Sequence, residues 1–325
     1  MLDLPSRNPA RHRHGTRPHH RFDEMETNVT GETLDEVDSR ERVARPPAPL
    51  GSAAIKLGVA TVVGHAFSYA FSLVLSRALG PADFGALGAL LGLGVVATVP
   101  AVALQTEVAR LVAVAPSRAT ARRGYRLSWL IGSALGVFMV ALTWPLTTLF
   151  RLDSPLSVLL LAAGLVPVSV IAARQGVLLG RGAFGWLALV TVLVPGLRLI
   201  SAGVAAVVDL GVAGALGLQA VATWVGLAVV VIMMPVPRRR PTDSVSGHSS
   251  DPRLSGVLKA GSSLLGLLVL ANVDVLLARV FLSDTQSGIY AVGALGAKIV
   301  FWGSQFVALL VFPRVARRQG GRRLV

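Results

Sequence analysis

Several titratable side chains stand inside long apolar stretches of this sequence: His65, Arg174, Arg198, Asp274, Arg279 and Lys298. An arginine presents five donors in a planar fork that matches phosphate or carboxylate oxygens. A carboxylate such as Asp274 can take a proton or a sodium ion, and a histidine such as His65 titrates near neutrality and can relay protons. These types suit binding an anion and moving a small cation. They do not suit bond-making, because no paired carboxylates, no Ser-His-Asp set and no Walker sequence accompany them. Each also has a plainer role. Arg174 and Arg279, like Arg77, can snorkel to an interface, and His65 can hydrogen-bond between helices.

The composition explains why those charges are costly. The chain has 325 residues, is 53% hydrophobic and has a mean hydropathy of +0.65. Runs of about 20 residues with few charges recur from residue 55 onward, the length that crosses a bilayer as a helix. The formal net charge of +14 does not indicate a nucleic-acid partner. The basic residues sit between apolar spans, and aromatics, at 6%, do not interleave with them as a base-stacking surface requires. There is no cysteine, which excludes disulfides, thiolate metal sites and thiol nucleophiles. Neither a cofactor nor a metal site is expected. His12, His14, His19 and His20 form a cluster with metal-binding residue types, but no carboxylate or cysteine is spaced to complete it, and a solvated basic tail accounts for it.

Taken in order, the sequence predicts an all-α polytopic membrane protein with about eight spans. Residues 1–50 are polar, Pro-rich and without apolar period, which reads as a disordered cytosolic tail. The spans fall at about 55–78, 86–110, 125–150, 156–180, 186–208, 212–236, 256–282 and 289–313. They give a six-helix unit over 51–236, a polar linker over 237–255, a two-helix unit over 256–313 and a basic tail over 314–325. Arginines concentrate in the N-terminal tail, in the second-to-third connection (Arg118, Arg122, Arg123), in the linker (Arg238, Arg239, Arg240) and in the C-terminal tail (Arg317, Arg318). The positive-inside rule then places both termini and the linker in the cytosol. These basic clusters would also meet anionic membrane lipid.

Two stretches echo one another. Leu73–Gly85, LVLSRALGPADFG, and Leu276–Gly288, LLARVFLSDTQSG, each end an apolar run, carry one arginine, turn through polar residues and close on a glycine. Weak repeats at wide spacing are common in transporter folds. Pro100, Pro145, Pro167 and Pro195 lie inside spans and predict kinks. Gly88–Gly92, Gly132–Gly136 and Gly176–Gly180 have the spacing for close helix packing.

SRALGPADFGALGALLGL resembles the first hairpin of the polysaccharide-biosynthesis flippases, the Wzx-type members of the multidrug/oligosaccharidyl-lipid/polysaccharide exporter superfamily, which also contains the MATE transporters. ANVDVLLARVFLSDTQSGIYAVGALGAKI with VFPRVARR resembles the seventh and eighth helices of the same family. The resemblance covers about residues 55–318. It implies two six-helix lobes around a central cavity, and movement of a polyprenyl-diphosphate-linked oligosaccharide across the cell (inner or plasma) membrane. Full members have twelve to fourteen helices. The chain is therefore expected to be truncated or to complete its cavity with a second-lobe subunit or another copy of itself. A drug or cation antiporter of the same superfamily and a non-transporting scaffold of a glycan-assembly complex are the alternative expectations.

Within that resemblance, a cationic cavity would be lined by Arg198, Arg174, Arg279 and Lys298, with Asp274 and His65 as coupling-ion candidates. Arg198 lies too deep to snorkel. Asp274 and Lys298 lie at equal depth on adjacent helices, so a salt bridge between them is expected. Glu107 and Arg110, three residues apart, are expected to pair on one helix face.

Overall fold

The computed structural model describes residues 52–114, 117–233, 261–262 and 265–300. The histidine cluster, the linker and the C-terminal tail lie outside the described residues. Every regular element among those described is a helix. In chain order these are α1 (Ser52–Ala78), α2 (Pro81–Ala97), α3 (Val99–Val114), α4 (Arg118–Ala141), α5 (Thr143–Leu149), α6 (Leu156–Gly180), α7 (Phe184–Val208), α8 (Gly211–Met233) and α9 (Val273–Phe281). Residues 265–270 and 284–300 are also helical.

Six stretches are long and apolar enough to cross a membrane: Ile55–Ala78, Pro81–Val114, Arg118–Ala141, Leu156–Gly180, Phe184–Val208 and Gly211–Met233. They match the first six predicted spans. The seventh is interrupted at Ala271 and Asn272. There the Asn272 side chain donates to Leu268 O at 2.8 Å, and its backbone N–H donates to Val269 O at 3.0 Å. An asparagine competing for backbone partners in this way breaks the helical ladder. The described part of the eighth predicted span is the helix over 284–300.

The four prolines divide into two pairs. Pro100 and Pro145 stand in the first turn of a new helix, just after the chain breaks at Thr98 between α2 and α3 and at Leu142 between α4 and α5. Pro167 and Pro195 stay inside α6 and α7. Each removes the N–H that would bond the carbonyl four residues earlier. For Pro167 that carbonyl is Ala163 O, and the Trp224 indole N–H donates to it at 3.1 Å from α8. For Pro195 it is Thr191 O. A methyl group on Gly64 would stand 2.5 Å from that oxygen, so α1 approaches the exposed carbonyl only because residue 64 is glycine.

The predicted small-residue pairs are helix contacts throughout. Gly176 and Gly180 of α6 lie on Gln105 O and Ala109 O of α3, so these helices run parallel. Gly132 and Gly136 of α4 meet Val166 and Ala162, so α4 runs antiparallel to α6. Gly88 and Gly92 of α2 receive Ala291 and Asn272. With lipid as solvent, backbone proximity of this kind replaces the hydrophobic drive of a soluble core. α1 packs along α7, and α8 along both α6 and α7. At the α6–α7 turn Gly182 adopts φ +67°, a conformation that favours glycine.

Residues from Ser52 onward form one compact unit. Its largest buried cluster joins Phe71, Leu75, Leu87 and Leu90 to Met139, Phe150 and Leu161, and also to Val275 and Ala291 of the second hairpin.

Candidate functional site

The proposed site residues occupy four separate places. Arg198 lies on α7 in the seam with α1. Its guanidinium carbon stands 5.2 Å from the centroid of the Phe71 ring, a cation–π contact. Its Nε is buried and has no hydrogen-bond partner among the described residues. Arg198 lies about 15 Å from the C-terminal end of α7 and about 21 Å from its start, at a 1.5 Å rise per residue. That is mid-span, where an ionised group is expensive and needs a polar or anionic partner.

His65 follows Gly64 on α1. Gly64 meets Thr191, Phe67 meets Gly196 and Phe71 meets Arg198, so α1 and α7 run parallel in this contact. Six residues separate His65 from Phe71, which puts the imidazole about 9 Å from the Arg198 level along the helix axis.

Arg174 lies elsewhere. It is 7% exposed and sits between α6 and α4, with its guanidinium carbon 5.0 Å from the centroid of the Tyr125 ring. It neither reaches an interface by snorkelling nor shares the seam of Arg198. It belongs to the packing of α4 on α6 near the arginine-rich end of the helices.

Arg279 departs furthest from expectation. It is 3% exposed. Nε donates to Phe150 O at 2.8 Å, Nη1 to Ala82 O at 3.2 Å and to Ser287 Oγ at 3.1 Å, and Nη2 to Arg151 O at 3.1 Å. Asp284 Oδ1 lies 3.3 Å from Nη1. A buried guanidinium with four of its five N–H groups bonded to three separate parts of the chain is a structural tie between segments. Arg77, its counterpart in the first repeat, is exposed.

Lys298 and Asp274 are close but differently partnered than expected. Lys298 Nζ donates to Asn272 Oδ1 at 3.1 Å. Asp274 Oδ2 accepts from the Tyr290 hydroxyl at 3.5 Å, the outer limit for such a bond, and its Oδ1 is buried without a partner. The lysine's direct bond thus goes to the amide at the break in the seventh span. Asn272 is 7% exposed and was not among the expected site residues. An amide inside an apolar run is itself a polar group needing satisfaction, and that signal would have found it. Phe71 gave no such signal, since an aromatic in a span is ordinary. Glu107 and Arg110 pair as predicted, through two bonds of 3.0 and 2.8 Å. No group of three or more metal-binding side chains occurs among the described residues.

The fold is shared with solved membrane transporters. An inward-facing multidrug resistance MATE family transporter of the MOP superfamily aligns with a TM-score of 0.61 at 17% identity, over 76% of this chain and 62% of that one. A MOP superfamily transporter from Pyrococcus furiosus, described as having a binding pocket of reverse polarity that suggests a different function, aligns at 0.51 and 19% identity over 70% of this chain and 53% of that one. A MATE protein in complex with MaL6 aligns at 0.51 and 16% identity, over 83% and 76% respectively. This chain therefore spans less than two thirds of the length of the first two. No family model and no curated protein sequence matches it. The likeness establishes a multi-pass, all-helical MATE-like fold.

Proposed function

We propose that this chain forms part of the path by which a polyprenyl-diphosphate-linked oligosaccharide crosses the cell membrane, with both tails in the cytosol. The observation that carries this reading is Arg198, a mid-span guanidinium stacked on Phe71 with a buried, unpartnered Nε. A diphosphate must have its charge covered inside a bilayer, and an arginine fork does so with directional bonds. Transporter neighbours in the fold comparison support translocation as the kind of activity. Arg279 no longer belongs to the proposed path, because its hydrogen bonds to Ala82, Phe150, Arg151 and Ser287 engage it, and Arg174 lies apart from Arg198, against Tyr125. His65, on the neighbouring helix α1, remains a candidate relay. In this reading the path is completed by a second-lobe subunit or by another copy of the chain.

A cation antiporter is the second reading, and Asp274 favours it, because the carboxylate presents a buried oxygen without a partner. The two separate in proteoliposomes. A fluorescent polyprenyl-diphosphate sugar that changes leaflet with the purified protein, and not with empty vesicles, supports the first reading. Uptake of a cationic dye without movement of the lipid-linked sugar supports the second. Neither activity, in a protein that assembles glycan enzymes around it, supports a scaffold.

A further inference from the structure

At the arginine-poor end of the helices, Arg151, Arg279 and Asp284 tie together three connections distant in sequence. Arg151 Nε donates to Asp284 Oδ1 at 2.8 Å, and its Nη2 donates to Arg279 O at 2.7 Å and to Leu282 O at 2.6 Å. Arg279 returns the bond to Arg151 O and reaches Phe150 O and Ala82 O. Asp284 is thus shared by both arginines. Arg151 adopts φ +46°, a left-handed conformation that is unfavourable for a residue with a Cβ and is held here by these bonds.

Directly beneath, the closing glycines of the two repeats touch. A methyl group on Gly85 would stand 2.6 Å from Ser287 Oγ and 2.8 Å from Gly288 N, and one on Gly288 would collide with Pro81 O. The contact continues along one face of α2, through Gly88 against Ala291 and Val275 and Gly92 against Asn272. The upper part of this junction differs from the lower in kind. The glycine stripe brings backbone close to backbone. The side chains of Arg151 and Asp284 are 42% and 46% exposed, so water competes for their bonds.

We propose that Arg151, Arg279 and Asp284 form a latch that holds the six-span unit and the second hairpin together at the arginine-poor end, and that opening at this end requires the latch to release. The inference rests on the transport reading for its purpose. Its mechanics do not depend on what is moved. Release exchanges ion pairs and carbonyl bonds for water at a half-exposed rim, while the glycine face below acts as the pivot.

The cysteine-free chain makes the test direct. Spin labels are placed at Leu149→Cys and Thr285→Cys, exposed positions on the two sides of the latch, in full-length protein in lipid nanodiscs. Pulsed electron resonance then reads their distance. The latch predicts one narrow distance population in the parent. Asp284→Asn adds a longer population, and Asp284→Glu restores the parent distribution. Arg151→Lys, which keeps the charge and loses the fork, shifts the distribution the same way by less. An unchanged distribution in both Asp284→Asn and Arg151→Lys overturns the latch. Failure of both variants to accumulate in the membrane also overturns it, since the cluster is then a folding staple. A longer population in a protein that moves no lipid-linked sugar keeps the latch and removes the lipid-linked-sugar reading.

Discussion

Arg151 and Arg279 each donate a guanidinium N–H to the other's backbone carbonyl, at 2.7 and 3.1 Å. This reciprocal pair closes the junction between two parts of the chain that the sequence separates by a long polar linker. Like charges at this range would repel, and Asp284 between them offsets the repulsion.

Replacing Arg279 by Gln should therefore destabilise the fold rather than alter selectivity. The carbonyls of Ala82, Phe150 and Arg151 lose a donor, at about 1–3 kcal/mol for each one that stays buried and unsatisfied. The midpoint of thermal unfolding in detergent should fall clearly, and Arg77→Gln should leave it near the parent value.

Close approach at the repeat glycines predicts a sharp positional contrast. Gly288→Ala places a methyl against Pro81 O and should abolish membrane accumulation, whereas Gly203→Ala meets nothing within 4 Å and should be tolerated. Quantitative immunoblotting of membrane fractions distinguishes the two.

The indole bond to Ala163 O exists because Pro167 supplies no N–H. Trp224→Phe should cost about 0.6–1.7 kcal/mol, the range of interhelical bonds in membranes. In a Pro167→Ala background, where residue 167 can bond Ala163 O itself, the same change should cost less. A double-mutant cycle reads the coupling, and strict additivity would show that the indole does not serve this carbonyl.

Lys298 bonds to Asn272 and not to Asp274. Exchanging the charges, Asp274→Lys with Lys298→Asp, should therefore not recover the abundance lost in Lys298→Asp alone. Asn272→Leu should lower abundance by itself, since it strands the lysine. Full recovery in the exchanged pair would restore the salt bridge as the working contact.

Much of the fold was legible because membrane spans follow from length and apolarity, and because three glycine pairs declared close packing by spacing alone. The prolines predicted kinks, but not which of them would stand next to a break in the helix. Pro100 and Pro145 open the helix after a break, while Pro167 and Pro195 stay inside theirs, and Trp224 donates from another helix to the carbonyl that Pro167 leaves without a partner. The repeat was readable, and its glycines do meet. The arginines were misread for a geometric reason. Aligning Gly85 with Gly288 sets Pro81 on Asp284 but Arg77 on Val280, one residue beyond Arg279. One residue is about 100° around a helix, which is why Arg279 turns inward to the carbonyls while Arg77 faces out. The break at Asn272 was also hidden, because it arises from one side chain competing with the backbone.

The central claim is that Arg198 covers the diphosphate. The most direct measurement is binding of a short-chain polyprenyl diphosphate to purified protein, read by native mass spectrometry, for the parent, Arg198→Ala and Arg198→Lys. The account predicts at least about tenfold weaker binding for Arg198→Ala, the order of one lost charged hydrogen bond of about 1.5–3 kcal/mol, with partial recovery in Arg198→Lys and an unchanged unfolding midpoint in both. Equal affinity in the parent and Arg198→Ala, with the protein folded, would contradict it.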